Sequence, residues 1–128
     1  MAVMKKKIYY HDTDAGGVVY YANYLKYFEE ARTEFLNDLG INLKALTDNN
    51  TWFVVKHVDI EYKSPARYAD SLIIESDISK LKSVSLIFSQ TIKRDDQVLI
   101  FAQTQMVCVD SSFRPKPIPE ELHSLFKK

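Results

Sequence analysis

The residues that could do chemistry are most concentrated between positions 11 and 24 of this 128-residue chain. Here Asp14 precedes the pair Gly16-Gly17, and a helical pattern begins at Asn23. Adjacent glycines let a ligand approach bare backbone amides, and a helix start presents unpaired N–H groups and the positive end of its dipole. A carboxylate beside such donors can attack a carbonyl, or take a proton from water, while the amides stabilise the oxyanion.

A purely structural interpretation of the same residues stays open. The run Asp14-Ala15-Gly16-Gly17 is also an ordinary turn, in which the aspartate side chain accepts a hydrogen bond from its own backbone. The spacing alone is compatible with both the turn and a catalytic carboxylate.

Composition and the other reactive residues exclude several classes of protein. Lys+Arg and Asp+Glu both number 17, so neither nucleic acid nor an anionic membrane surface is expected as the main partner. Cys108 is the single cysteine, which excludes an internal disulfide framework and predicts a buried thiol in a reducing compartment. His11, Asp12 and Asp14 do not have a recognisable metal-ligand spacing, so we expect no metal and no cofactor.

The sequence also shows no targeting or membrane signal. Three lysines follow Met4 where a signal peptide would have its apolar core. No run approaches the ~18 apolar residues that a membrane-spanning helix needs. We therefore expect a cytoplasmic protein without an integral membrane segment.

One long amphipathic helix is predicted directly after the 11–24 segment. Asn23 is placed to cap its start, and Gly40 is placed to end it in a left-handed conformation. The apolar positions that recur every three or four residues are Leu25, Phe28, Ala31, Phe35 and Leu39.

After residue 50 the apolar residues alternate, which predicts strands. The expected strands are 52–62, 72–81, 84–92 and 98–109, with hairpin turns at 82–83 and 94–97 and a fifth strand at 7–10. Residues 64–70 form the predicted crossover, and Glu120 to Phe126 form a short last helix. The chain is thus predicted to be one α+β domain, residues 1–128, in which a curved antiparallel sheet of about five strands wraps around one long helix.

The segment from Tyr10 to Tyr20, followed by Asn23-Tyr24 and Glu30-Ala31-Arg32, resembles the hydroxybenzoyl-CoA thioesterase family. It is most similar to that family's bacterial acyl-CoA thioesterases associated with the Tol–Pal operon. The resemblance implies a hotdog fold, a homodimer or homotetramer, and hydrolysis of acyl-CoA thioesters without a metal.

The resemblance also implies roles for two residues. Asp14 matches the family's catalytic aspartate, and Tyr21 falls at the helix-start position whose backbone N–H polarises the thioester carbonyl. The Tol–Pal branch usually carries histidine where this chain has Tyr21. Because a backbone donor does not depend on its side chain, this departure affects the choice of substrate more than the reaction.

Four residues near Asp14 are expected to bind the substrate. Gly16, Gly17 and Val18 belong to the loop whose backbone a ligand can approach closely, and Tyr24 is expected to line an acyl slot built from the same apolar surface as the core.

Three basic residues are candidates for binding the CoA phosphates. Lys80 and Lys82 lie at a predicted turn between two strands, and Arg67 lies in the predicted crossover. Lysines in turns are usually only solvated, so that interpretation stays open for both of them.

The function predicted from these observations is hydrolysis of a small to medium acyl- or aroyl-CoA thioester to free acid and CoA. An acyl carrier protein is a second candidate for the group that carries the thioester. The alternative from another class is a non-catalytic acyl-carrier or lipid-binding subunit with the same fold, although an intact Asp14 argues against it.

Overall fold

An antiparallel sheet of five strands forms one layer of the structure, a computed structural model that describes residues 1–127. The strands are β1 (Ala2–Lys7), β2 (Trp52–Tyr62), β3 (Ser71–Leu81), β4 (Ser85–Arg94) and β5 (Gln97–Val109). Their order in the sheet is β1-β3-β4-β5-β2, and every neighbouring pair is antiparallel. The predicted α+β class and the five-stranded antiparallel sheet are confirmed.

Within residues 1–127, three α-helices accompany the sheet: α1 (Asn23–Asp38), α2 (Leu43–Asp48) and α3 (Glu120–Phe126). Apolar side chains of α1 pack against the sheet in two clusters, one towards each end of the helix. The buried residues of α1 are Tyr24, Tyr27, Phe28, Ala31, Phe35 and Leu36. No helix of the described residues is long and apolar enough to cross a membrane.

The predicted C-terminal end of α1 agrees with the structure, whereas the predicted N-terminal cap does not. Gly40 has φ +78° and follows the helix, as predicted for a left-handed terminator. Asn23 is not the cap, because Ala22 occupies that position and no side chain caps the helix. Leu25, predicted on the buried stripe, is 45% exposed.

The fifth strand is the largest correction to the predicted elements. It lies at Ala2–Lys7 and pairs with β3, whereas Tyr10–Asp12 forms a single 3₁₀ turn. The sequence of this edge strand does not show alternating polarity, because it ends in three consecutive lysines, although its residues alternate in burial. Lys6 faces the helix, where its ammonium lies 3.4 Å from a Glu30 carboxylate oxygen and 5.1 Å from the ring centre of Tyr27.

A buried polar residue fixes α1 to the sheet in register. Gln90 of β4 is fully buried, and its Nε2 donates to the Phe28 carbonyl of α1 and to Ser76 Oγ of β3, both at 3.0 Å. Its Oε1 accepts a hydrogen bond from Arg32 at 3.1 Å. Because each of these contacts is directional, the helix cannot slide along the sheet without leaving buried polar groups unsatisfied.

Candidate active site

The loop between the 3₁₀ turn and α1 has a well-defined backbone. Thr13 and Val19 form an antiparallel bridge, and the Asp14 N–H donates to the Val18 carbonyl at 2.9 Å. The loop docks on the 64–70 segment, since the Val19 N–H donates to the Ala66 carbonyl at 2.8 Å. These hydrogen bonds fix the backbone of Asp14, and they therefore fix the position of its Cα atom, from which the side chain extends.

Asp14 makes the predicted turn bond and still keeps a free carboxylate oxygen. Its Oδ1 accepts the Gly16 N–H at 2.8 Å, and its carbonyl accepts the Gly17 N–H at 3.0 Å. Gly17 has φ +78°, a conformation that favours glycine. The side chain is exposed, and Oδ2 accepts no hydrogen bond from residues 1–127. The turn and a reactive carboxylate are therefore compatible in one residue.

The backbone N–H of Tyr21 lies just before α1 and donates no hydrogen bond within the described chain. The carbonyl on the same peptide, that of Tyr20, accepts the Asn23 N–H at 2.8 Å. A free N–H at a helix start can bind an oxyanion, and the helix dipole adds to the attraction. The predicted donor position is thus free to bind a ligand.

A cavity of about 230 Å³ lies beside the Tyr21 position. Aromatic rings form one side of it: the Tyr62 ring is 6.3 Å from that of Tyr21 and 5.8 Å from that of Tyr24, between ring centres. The residues that line the cavity are Tyr21, Tyr24, Tyr62, Lys63, Ser64, Pro65 and Ile100. The lining is mainly apolar and suits an acyl or aryl group.

Tyr24 has a structural role as well as the predicted place on the cavity wall. Its hydroxyl accepts the buried Ala66 N–H at 3.0 Å, which fastens the 64–70 segment to the start of α1. Burial raises the pKa of the Tyr24 phenol. The hydroxyl therefore stays protonated at neutral pH and acts as a fixed hydrogen-bonding group.

The three predicted phosphate-binding residues lie at two different places. Arg67 is exposed and forms a backbone bridge with Val18, so it borders the Asp14 loop. Lys80 and Lys82 are also exposed, but Lys80 lies near the end of β3 and Lys82 in the β3–β4 turn.

That turn is far from the Asp14 loop. The β3–β4 turn lies beside Val107 of β5. The 64–70 segment, on which the Asp14 loop packs, lies beside Leu99 of the same strand. Eight residues of strand, roughly 26 Å, separate these two points. Within the chain, the loop and the segments that it contacts therefore hold Asp14, Gly16, Gly17, Val18, Tyr21, Tyr24 and Arg67, whereas Lys80 and Lys82 lie apart.

Two features of the site were not predicted from the sequence. One is the cavity wall formed by Tyr62, Ser64 and Pro65, and the other is the hydrogen bond from the Asn23 side chain to the Asp12 carbonyl. Tyr62, Ser64 and Pro65 carry no local signal of a binding role, because only the pairing of β2 with β5 brings them to the start of α1. Asn23 carried a signal that pointed to helix capping instead.

Comparison with known proteins defines the class. Residues 9–126 match the thioesterase-like superfamily. The acyl-CoA thioester hydrolase YbgC of Escherichia coli O6:H1 is 39% identical over 124 residues, covering 95% of this chain and 92% of the relative. The 1,4-dihydroxy-2-naphthoyl-CoA hydrolase of Thermosynechococcus vestitus is 32% identical over 127 residues, covering 96% and 86%. A crystal structure of a probable thioesterase from Bartonella henselae superposes with a TM-score of 0.89 at 32% identity, covering 92% of this chain and 98% of that one.

The chain therefore belongs to the thioesterase-like superfamily. Both the hotdog fold and the enzyme class predicted from the sequence, a thioester hydrolase, are confirmed.

Proposed function

We propose that the enzyme hydrolyses small to medium acyl- or aroyl-CoA thioesters to free acid and CoA. Asp14 supplies the carboxylate, and the Tyr21 N–H binds the oxyanion. The observation that supports this most is the free Tyr21 N–H at the start of α1, beside an apolar cavity and on the same braced loop as Asp14. A thioester carbonyl placed there meets an oxyanion donor and a carboxylate without any metal.

Two courses of the reaction use the same groups. In the first, Asp14 Oδ2 attacks the thioester carbon, CoA leaves as a thiolate, and water hydrolyses the resulting anhydride. In the second, Asp14 takes a proton from water, the water oxygen attacks the thioester carbon directly, and the C–S bond breaks so that CoA leaves as a thiolate. Single-turnover reaction in heavy-oxygen water separates them, because only the anhydride route can leave label in the Asp14 carboxylate.

The cavity beside Tyr21 supports a limit on the size of the acyl group. Its volume of about 230 Å³ and its three tyrosines favour a short or ring-shaped group over a long chain. The relative from Thermosynechococcus vestitus is named for an aroyl-CoA substrate. We therefore include aroyl-CoA thioesters, beside short acyl-CoA thioesters, among the substrates proposed for this enzyme.

We propose that Arg67, which borders the Asp14 loop, binds the CoA phosphates. It is exposed beside Val18, and its own backbone N–H donates to Asp70 Oδ2 at 2.9 Å, which fixes the main chain. Asp70 in turn pairs with Arg94 at 2.8 Å, so its charge is already compensated and does not compete for the Arg67 guanidinium.

We propose a homodimer or homotetramer, because β1 and β2 lie at the edges of the sheet and each pairs with one strand only among the described residues. The edge strand β1 exposes Lys5 and Lys7, a common protection against pairing, whereas the edge strand β2 exposes Val55 by 48%. We therefore propose self-association through β2. Sedimentation should show no monomer at micromolar concentration, and an active monomer there would contradict the proposal.

A panel of acyl- and aroyl-CoA substrates, followed by detection of the released thiol, tests the proposed function. Turnover of short acyl or aroyl members is expected, with a loss of kcat/KM as chains outgrow the cavity. The same acyl groups on an acyl carrier protein show which carrier is used. Binding without release of thiol across the panel would favour the non-catalytic subunit.

A further inference from the structure

The side chain of Asn23 connects the two parts of the candidate active site. Its Nδ2 donates to the Asp12 carbonyl at 2.9 Å, across eleven residues of sequence. Asp12 lies two residues before Asp14, and Asn23 lies two residues after Tyr21. This hydrogen bond therefore joins the segment that carries the carboxylate to the segment that carries the N–H donor.

Asp12 is a fixed anchor for that bond. The residue is buried, and its Oδ2 accepts the Tyr9 N–H at 2.9 Å. Its carbonyl also accepts the Tyr20 N–H at 3.0 Å. Both lone pairs of the carbonyl are thus used, one by Tyr20 and one by Asn23.

The same contacts orient the peptide that carries the Tyr21 N–H. The Asn23 backbone N–H donates to the Tyr20 carbonyl at 2.8 Å. In a planar trans peptide the C=O and the N–H point in opposite directions. The Tyr21 N–H is therefore directed away from this bond and stays available to a ligand.

We propose that Asn23 is a positioning residue that sets the separation between the Asp14 carboxylate and the Tyr21 N–H. The proposal rests on the proposed function. Asn23 is not among the residues that line the cavity, so its effect is on the geometry of the reacting groups rather than on substrate affinity. A misplacement of about 1 Å in such a geometry can reduce the rate by roughly 100-fold.

Kinetics of Asn23→Ala test the proposal. We expect kcat to fall by about 10- to 100-fold, with KM within about threefold of the wild type. Asn23→Ser keeps a hydroxyl donor and should recover part of the lost kcat.

Asn42→Ala is the matched control for this variant. Asn42 lies at the start of α2, where its Oδ1 accepts the Ala45 N–H at 3.2 Å, far in sequence from the loop. The same substitution there should lower the melting temperature to a similar degree and leave kcat unchanged. Equal losses of kcat in the two variants would reduce Asn23 to a stabilising residue and overturn the proposal.

Amide NMR spectra give a readout that does not depend on turnover. Asn23→Ala should shift the resonances of residues 13–21, and Asn42→Ala should not. A folded Asn23→Ala protein with unchanged resonances in this segment, or with kcat within twofold of the wild type, would overturn the proposal. Failure of the wild type to hydrolyse any acyl-CoA would count against the proposed function instead, and the spectra would still decide the role of Asn23.

Discussion

Replacing Asp14 by Asn separates its two roles, because the substitution removes the charge and keeps the turn. The asparagine carbonyl oxygen can accept the Gly16 N–H, which Asp14 Oδ1 accepts at 2.8 Å in the native protein. The side chain is exposed, so we expect the free energy of unfolding to change by less than about 0.5 kcal/mol. Gly16 and Gly17 keep their backbone conformation, and the loop should stay in place.

The expected loss is in turnover. An amide neither attacks a thioester nor accepts a proton from water at neutral pH, so Asp14→Asn should lower kcat by about 100- to 10,000-fold. This corresponds to a barrier that is higher by about 2.7 to 5.4 kcal/mol, several times the expected change in stability. The measurement is release of CoA thiol at saturating substrate, together with a urea unfolding curve for each protein.

Asp110→Asn is the matched control. Asp110 Oδ1 accepts the Ser112 N–H at 2.8 Å, the same two-residue turn bond at the same length as in the Asp14 turn. Asp110 lies after β5, outside the Asp14 loop, so its substitution should leave kcat unchanged. If Asp14→Asn is folded and retains kcat within about threefold of the wild type, Asp14 is a turn residue only and the proposed mechanism is refuted.

Two further predictions follow from contacts elsewhere in the molecule. Tyr27→Phe should change stability little near neutral pH, because the buried Tyr27 hydroxyl makes no hydrogen bond of standard geometry among the described residues, although the Asp12 carboxylate lies near enough to help raise its pKa. Burial raises the pKa of Tyr27, so the unfolded chain loses this proton first and the native protein loses stability as pH rises above about 10. Alkaline urea titrations of Tyr27→Phe should show a weaker loss, and an equally steep one would contradict this account. Replacing Lys80 and Lys82 together by Ala should change KM for acyl-CoA by less than about twofold even at low salt, since within one chain both lie at the other end of the sheet from Asp14. A large increase would mean that a second copy of the chain brings them to the site.

The elements that the sequence predicted well are those whose pattern depends on one neighbouring layer. Strands β2 to β5 alternate because α1 and the core cover one face of the sheet, and their predicted bounds lie within two residues of the observed ones. Strand β1 does not follow that rule, since Lys6 occupies a half-buried inward position that an apolar residue would normally hold. Its ion pair with Glu30 and its contact with Tyr27 make the lysine acceptable there, and both partners are remote in sequence.

In the candidate site, too, the features set by local sequence were predicted, and those set by contacts between distant segments were not. Asp14, Gly16 and Gly17 act within one turn, so their types and spacing were enough to identify the loop. The cavity wall at Tyr62 and Pro65 depends on how β2 pairs with β5, which no local pattern encodes. For Lys80 and Lys82 the sequence indicated exposure correctly, but their distance from Asp14 depends on the length and direction of the strands between them.

Asn23 shows why a correct residue preference can still give the wrong contact. Asparagine at the start of a helical pattern predicts a cap, in which the side-chain oxygen accepts an N–H of the first turn. In the structure the side-chain nitrogen donates instead, to a carbonyl on the preceding loop. The two arrangements make opposite demands on the residue, because an aspartate would serve a cap equally well but has no hydrogen to give to the Asp12 carbonyl. Local preference selects asparagine in both cases, and only the path of the loop past the helix start decides which end of the amide is used.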